Sequence, residues 1–244
     1  MPDPTPEPRF RERPVSFVRR SGRMSDGQER AWAAHAEFYL LDVPRGDAVT
    51  SVRADSTIDP AAVWGREAPL IVEIGTGQGH QIVHAAATRP EVDFLAVEVF
   101  RAGLARTMLD ADREGAKNLR LVEANAPEVL EHLLPAASVD ELWVFFPDPW
   151  HKSKHNKRRL IDEEFAAIAA RALKPGGTLR LATDWEHYAR QMRTVLDAAP
   201  DFQRTFEGEW AERFDGRVLT AFEQKGARVG RSIRDLAYRR ADDR

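Results

Sequence analysis

Short apolar runs alternate along this chain with longer segments that mix apolar and polar residues. The runs are five or six residues long, which is the usual length of a strand. Because they are almost continuously apolar, they are typical of parallel strands that are covered on both faces. The predicted strands are residues 70–74, 94–99, 119–123, 141–146 and 178–183.

The mixed segments predict helices at residues 26–41, 60–64, 78–88, 101–114, 126–134, 162–173 and 185–198. Ser25 and Gln28 have the spacing of a capping box at the first of them. The sequence KPGG at residues 174–177 predicts a helix end and a turn. Repeated strand–helix units predict an α/β fold with a doubly wound, mostly parallel, Rossmann-like sheet. Residues 218–223 and 233–238 predict two further strands, which we expect to be antiparallel.

The composition narrows the classes of protein to which the chain can belong. Its 244 residues are 43% hydrophobic, enough for one sizeable core. It has no cysteine, which excludes disulfides, zinc–thiolate sites and a thiol nucleophile, and its seven histidines show no metal-ligand spacing. No apolar run approaches the ~20 residues of a membrane span, and no secretory signal is evident. We therefore expect a cytoplasmic protein with no metal and no membrane contact.

Three regions are predicted from local composition. Residues 1–14 are rich in proline and have no periodicity, so we expect a disordered tail. Residues 15–66 form a basic arm, an N-terminal helix and a loop, and residues 67–244 form the main domain. We find no internal repeat and no linker that would divide the chain further.

Positive charge is concentrated in three segments of an otherwise acidic chain. Residues 8–23, 151–159 and 224–240 each carry a net charge of +5, whereas the whole chain carries −3. If the segments meet in space, they form one electropositive surface for a polyanion. The alternative is that each is an ordinary solvated face.

The sequence LIVEIGTGQGH places a glycine-rich turn directly after the first predicted strand. A dinucleotide fingerprint would need its third glycine at position 80, which is His80. Gly75 and Gly77, with the acid Glu73 ahead of them, suit S-adenosylmethionine instead, because that cofactor has no phosphate and carries a sulfonium and an ammonium group. The alternative is a turn that is glycine-rich only for tight packing.

Polar residues stand at the ends of the first four predicted strands. Glu98 ends the second strand, where an acid can accept both ribose hydroxyls of an adenosine, although it could also be a solvent-facing carboxylate. Asn125 ends the third, where its amide could read the adenine edge. Asp148 ends the fourth. Because ligands of open α/β sheets bind beyond the carboxyl ends of the strands, we expect Glu73, Glu98, Asn125 and Asp148 to line one crevice.

The stretch FFPDPWHKSKHNKRR, residues 145–159, sets one carboxylate between two prolines and ahead of five cations. The prolines bias Asp148 toward extended geometry at the mouth of the crevice. Trp150 could stack on a flat base or pack under a loop. Asp184, after the fifth strand, adds a second acid, and Lys152 begins the basic rim. This layout favours a nucleic acid whose base enters the crevice while its phosphates meet the cations.

Together, VSFVRRSGRMSDGQ (15–28), EIGTGQG, FFPDPWHKSKHNKRRL, LATDW and TAFEQKGARVG (220–230) resemble the bacterial tRNA (guanine-N7-)-methyltransferases over about nine-tenths of the chain. The resemblance implies a class I S-adenosylmethionine-dependent fold that methylates guanosine 46 in the tRNA variable loop. It also implies cofactor contacts at Gly75, Gly77, Glu73, Glu98, Asn125 and Asp148, with Asp148 the catalytic candidate. The implied guanine-binding residues are Lys152, Asp184 and, in a C-terminal substrate-binding segment, Thr220, Phe222 and Glu223.

Two departures from the family pattern stand out. Residues 42–57 form a longer segment than the pattern, and Arg234 stands where an aromatic residue is expected. Two other functions remain open from the residues alone, namely a methyltransferase for another RNA or a small molecule, and a non-catalytic tRNA-binding protein. A nicotinamide-dependent dehydrogenase is disfavoured by His80. We expect a monomer or a homodimer.

Overall fold

The computed structural model describes residues 24–219, 223 and 232–242. The predicted disordered tail at 1–14, the basic segment at 8–23, and Thr220 and Phe222 lie outside these residues. The strands are β1 (Leu70–Ile74), β2 (Asp93–Glu98), β3 (Leu119–Glu123), β4 (Val139–Phe145), β5 (Leu173–Thr183), β6 (Phe202–Arg204) and β7 (Arg234–Arg240). The α-helices are α1 (Asp26–Tyr39), α2 (Pro60–Trp64), α3 (His80–Thr88), α4 (Arg101–Arg113), α5 (Ala126–Glu128), α6 (Glu163–Ala172) and α7 (Glu186–Ala198).

The described strands form one sheet in the order β3-β2-β1-β4-β5-β7-β6. Strands β1 to β5 are parallel, and β7 is antiparallel to both of its neighbours. The order reverses between β1 and β4, and a crevice opens at such a switch point, beyond the carboxyl ends of the strands. The predicted doubly wound, mostly parallel sheet with antiparallel C-terminal strands is confirmed.

Each face of the sheet is buried by a separate apolar cluster. Alternate residues of β1 enter different clusters, with Val72 on one side and Ile71 on the other. Helix α7 contributes Met192 and Leu196, four residues apart and both fully buried. Each such side chain stabilises the fold by roughly 1.5–3 kcal/mol. The near-continuous apolar strands of the sequence are explained by this two-sided burial.

The predicted strand at residues 218–223 is wrong where the structure describes it. Val218 and Leu219 have no regular structure, and Glu223 is helical. The backbone N–H of Val218 donates to Oε1 of Gln81 on α3 at 2.7 Å, so a side chain satisfies it instead of a strand partner. The second antiparallel strand is β6, three residues that the sequence pattern did not reveal.

Residues 174–177 follow the end of α6 as predicted, but the chain then enters the sheet as a bulge. Val139 pairs with Leu173 and Glu141 pairs with Thr178, so Asp140 alone lies opposite the four residues 174–177. Nζ of Lys174 lies 2.7 Å from the Asp140 carboxylate and holds the bulge against β4.

Helix α1 begins with the predicted capping box at Ser25. It packs on α4, where the guanidinium of Arg101 lies 4.1 Å from the Trp32 ring. The chain then passes beside β3, where the N–H of Leu41 donates to the carbonyl of Leu121, and the N–H of Ile58 donates to the carbonyl of Leu133, which ends the π-helical turn Val129–Leu133. Residues 42–58 are thereby fastened beside the edge strand β3.

Candidate active site

A cleft of about 980 Å³ opens at the carboxyl ends of β1, β2, β3 and β4. Its wall includes five of the residues singled out in the sequence, namely Gly75, Glu98, Asn125, Asp148 and Lys152. They come from four strand–helix units, with Asp148 and Lys152 both after β4, and are brought together because parallel strands end at one edge of the sheet.

The glycine turn presents bare backbone to open space. Gly75 and Gly77 have φ of +72° and +57°, and a Cβ on either would meet nothing within 4 Å. Glu98 holds this turn in place, since one oxygen accepts the N–H of Gly77 at 2.8 Å while the other accepts those of Val99 and Phe100 at 2.7 and 2.9 Å. A ligand could therefore approach the turn closely.

Two further glycines serve packing. A Cβ on Gly79 would lie 2.3 Å from the Thr107 side chain, and a Cβ on Gly103 would lie 2.1 Å from the carbonyl oxygen of Gly77. Helix α4 is thus pressed against the turn. The packing interpretation of the glycine motif holds for Gly79 but not for Gly75 or Gly77.

Glu73 is buried in β1 behind the turn, at 4% exposure. Its Oε2 has no hydrogen-bond partner among the described residues. Burial, followed by repulsion from Glu98, raises its pKa from the ordinary 4.5 to about 8. Burial also raises the pKa of Glu98, against three backbone hydrogen bonds that lower it, and Asp148 raises it a little further. Glu98 thus lies within electrostatic reach of both Glu73 and Asp148, and a bound cation would relieve this repulsion.

Asn125 is 3% exposed and lies where β3 turns into α5. Its backbone N–H donates to the carbonyl of Thr50 at 2.7 Å, and its Nδ2 donates to Oε1 of Glu128 at 3.2 Å. The sequence did not predict either partner, because neither Thr50 nor Glu128 belongs to a recognisable motif.

Left-handed residues flank the proline-bounded carboxylate. Phe146 has φ of +54° and Trp150 has φ of +45°, which is strained backbone for large side chains. The N–H of Phe146 donates to the carbonyl of Ala182 at 2.7 Å. Asp148 stands exposed between them at the cleft, and desolvation by its surroundings raises its pKa.

Arg159 holds this turn from behind. Its side chain is almost fully buried and its Nε donates to the carbonyl of Pro149 at 2.8 Å. Nη1 lies 2.9 Å from Nδ1 of His187 and 2.5 Å from Oε1 of Gln191, both on α7. Arg159 lines the cleft, but because it is buried and bonded to these partners it is not an exposed member of the basic rim.

Several other residues of this stretch lie on the cleft wall, whereas Lys154 and Lys157 are exposed and do not line it. Lys152 is exposed on its wall. The Trp150 ring also lies on the wall, with the His155 ring edge-on at 5.8 Å and the Arg158 guanidinium at 5.2 Å. Base stacking by Trp150 therefore stays a prediction, and the structure leaves the ring beside the cleft.

The described cations of the C-terminal basic segment, Arg234, Arg239 and Arg240, do not gather at the cleft as one surface. In the β5–β7 register, Arg234 opposes Thr183 at the cleft end, whereas Arg239 opposes Thr178 at the other end. The Arg239 and Arg240 side chains donate to the carbonyls of Gly176 and Leu173 there. The physical reason is that β7 pairs along β5 from Thr178 to Thr183, so its cations are distributed between the two ends of the sheet.

The predicted guanine-binding acids lie outside the cleft wall. Asp184 is half-buried directly after β5. Glu223 is 1% exposed, with Oε1 3.3 Å from Nε of Arg217. Arg217 also pairs with Asp235 at 2.8 Å and lies over the ring of Phe146. Arg217 therefore links the C-terminal segment to the end of β4, and no sequence signal identified it.

Within the described residues, no cluster of three or more histidine or acidic side chains could hold a metal ion. Among the same residues, every helix is too short or too polar to cross a membrane.

Known proteins are similar to this chain over most of its length. The sequence model of a family described as "Putative methyltransferase" matches residues 67–236. The tRNA (guanine-N(7)-)-methyltransferase of Paenarthrobacter aurescens is 47% identical, covering 93% of this chain and 92% of that protein. The protein of the same name from Pseudomonas putida is 42% identical, covering 98% and 96%.

Solved structures share the fold at much lower identity. The antibiotic-resistance methyltransferase Kmr has a TM-score of 0.52 at 20% identity, covering 84% of this chain and 100% of that chain. The 16S rRNA (adenine(1408)-N(1))-methyltransferase from Catenulisporales acidiphilia has a TM-score of 0.50 at 17% identity, covering 83% and 100%. These likenesses confirm the class I methyltransferase type of sheet, and identities this low show the fold alone.

Proposed function

Because the chain belongs to the tRNA (guanine-N(7)-)-methyltransferase family, we propose that it transfers a methyl group from S-adenosylmethionine to N7 of guanosine 46 in tRNA. One observation carries the proposal. The cleft joins an open glycine turn and mutually repelling carboxylates to an exposed cation, Lys152. Such a cleft suits a cationic cofactor inside and a polyanion at its rim.

The described residues fit the cofactor. The bare turn at Gly75 and Gly77 leaves room for its amino-acid end, where Glu73 has an unsatisfied buried oxygen. Glu98 would accept the ribose hydroxyls and Asn125 would face adenine, which is supported by the position of both residues on the cleft wall. When bound, the cofactor supplies an electrophilic methyl group.

The acceptor determines what the protein must do. N7 of guanine carries a lone pair and no proton, so the site needs no general base. Asp148, held by the strained turn and the Arg159 brace, orients the base and stabilises the positive charge that grows on it. Trp150 supplies a stacking face and Lys152 contacts phosphate.

The guanine edge is assigned to Asp184 and Glu223, whose carboxylates would accept its N1–H and N2–H. Since Glu223 is paired with Arg217, binding through it requires the guanine to replace that partner. Thr220 and Phe222 are expected to complete the base site. A cytoplasmic location follows from the tRNA substrate, and a monomer or homodimer stays a prediction.

The test is methyl transfer from labelled S-adenosylmethionine to unmodified tRNA, with the product mapped by borohydride and aniline cleavage at N7-methylguanosine. Cleavage at position 46 is expected. Transfer to another nucleotide would disprove the position, and transfer only to small molecules would favour another methyltransferase class. Binding of tRNA without any transfer would favour the non-catalytic alternative.

Asp148→Ala tests the catalytic role directly. We expect turnover to fall at least about 100-fold, because oriented charge stabilisation is lost. Asp201→Ala is the matched control, since this exposed acid precedes β6 at the opposite end of the sheet. Unchanged transfer by Asp148→Ala would remove Asp148 from the mechanism.

A further inference from the structure

The long segment after α1 is joined to the cleft by hydrogen bonds to Asn125 and Glu128, and a third hydrogen bond joins these two residues to each other. The carbonyl of Thr50 accepts the N–H of Asn125 at 2.7 Å. The Glu128 carboxylate accepts the N–H of Val52 at 2.6 Å through Oε2, and the Nδ2 of Asn125 at 3.2 Å through Oε1. Glu128 therefore connects residues 42–58 to the side chain at the end of β3.

This connection determines which end of the Asn125 amide faces Glu128. An ionised carboxylate only accepts hydrogen bonds, so Asn125 must turn its NH₂ toward it. The oxygen, Oδ1, then faces the opposite way. The main-chain N–H of Asn125 is already bonded to Thr50, so the side chain is what this residue presents to the cleft.

We propose that Glu128 is a positioning residue that makes the nucleoside end of the cleft selective for adenine, the purine with an amino group at C6. Asn125 Oδ1 accepts from the amino group of adenine. Hypoxanthine has a carbonyl oxygen at that position, which would oppose Oδ1 with a second acceptor. The proposal rests on the proposed function, because it assumes that the cofactor's nucleoside lies at Asn125.

Residues 42–58 have a defined part in this arrangement. Their Val52 N–H occupies the second oxygen of Glu128, which limits rotation of that carboxylate. Nη1 of Arg45 fastens the segment at another point by donating to the carbonyl of Glu123 at 2.6 Å. The added length of this segment thus supports the orientation of one amide.

The experiment compares binding of S-adenosylhomocysteine and S-inosylhomocysteine to the full chain by calorimetry. The wild type should prefer the adenosyl ligand by about 10- to 100-fold, because the inosyl ligand both loses a hydrogen bond and leaves two buried acceptors opposed. In Glu128→Gln the preference should fall below about threefold, because glutamine can donate to Oδ1 and allow the Asn125 amide to turn over. Glu131→Gln, in the π-helical turn Val129–Leu133 that continues α5, is the matched control and should keep the wild-type preference.

Hydrogen exchange separates positioning from a folding defect. In Glu128→Gln the amides of Val52, β1 and β4 should all stay protected, because the remaining glutamine oxygen can still accept the N–H of Val52. An unchanged ligand preference in a folded Glu128→Gln protein would overturn the proposal. If the wild type binds neither ligand, the cofactor assignment itself is wrong, and the proposal fails with it.

Discussion

The buried carboxyl of Glu73 should make both stability and cofactor binding depend on pH. Its pKa is raised from 4.5 to about 8 by burial and by Glu98, so the ligand-free protein holds a proton there at neutral pH. In the unfolded chain the group ionises near its ordinary value. The folded state therefore binds more protons than the unfolded state between pH 4.5 and about 8, and stability falls as pH rises through that window.

The size of the effect follows from that pKa difference. From 4.5 to about 8, at about 1.36 kcal/mol per pH unit, the loss of unfolding free energy is at most about 5 kcal/mol. Glu73→Gln is neutral in both states and lacks this slope. We expect the variant to match the wild type near pH 5 and to be several kcal/mol more stable near pH 9.

The ionised Glu73 carboxylate should favour cofactor binding, although it lowers the stability of the ligand-free protein. A cationic ligand beside Glu73 favours its ionised form, so binding should release close to one proton at pH 7. Wild-type affinity should then fall up to about tenfold for each pH unit below 8. Glu73→Gln should have no such slope, and at pH 8 it should bind at least about tenfold more weakly than the wild type.

Urea denaturation from pH 5 to 9 measures the first effect, and calorimetry in two buffers of different ionisation enthalpy measures proton release. Glu91→Gln, an exposed acid in the loop before β2, controls for loss of one carboxylate. Parallel stability profiles for wild type and Glu73→Gln would refute the argument, as would cofactor binding without proton release.

Three further contrasts test other parts of the cleft. Gly103→Ala should lower the unfolding free energy by about 2–4 kcal/mol, because its Cβ would lie 2.1 Å from a backbone oxygen. Gly75→Ala should mainly weaken cofactor affinity. Denaturation measures the first effect and calorimetry measures the second. Arg159→Met should lower single-turnover methyl transfer about 10- to 100-fold with cofactor affinity nearly unchanged, and equal loss of both would contradict a bracing role. Lys152→Ala should reduce the salt dependence of tRNA binding by about one phosphate contact, and Arg239→Ala should not.

The local pattern was sufficient for most of the regular structure. The strands at residues 70–74 and 119–123 have the predicted bounds, as does α2. A buried parallel strand needs an apolar run, and a turn needs glycine or proline, so both are written in neighbouring residues. The strand predicted at 218–223 is wrong at Val218, because the N–H of that residue is satisfied by Gln81, which is distant in sequence.

The candidate site was predictable as a set of residue types at strand ends. That Glu98, Asn125 and Asp148 reach one cleft follows from parallel topology, and the structure shows this placement. The partners of these residues were not predictable. Thr50 and Glu128 matter only because a loop crosses the end of β3, which no local pattern specifies.

The sequence by itself determined the alternating strands and helices, the open glycine turn and the carboxylate between two prolines, because each depends on residues close together in the chain. Only the tertiary structure decided which charged side chains are buried, which are paired, and where they lie on the sheet. Arg159 became a buried brace, Glu223 an ion-pair partner of Arg217, and Arg239 a residue of the far end of the sheet. The physical reason is that burial, pKa and pairing of a charge depend on which distant segments surround it, and strand order and register set those neighbours.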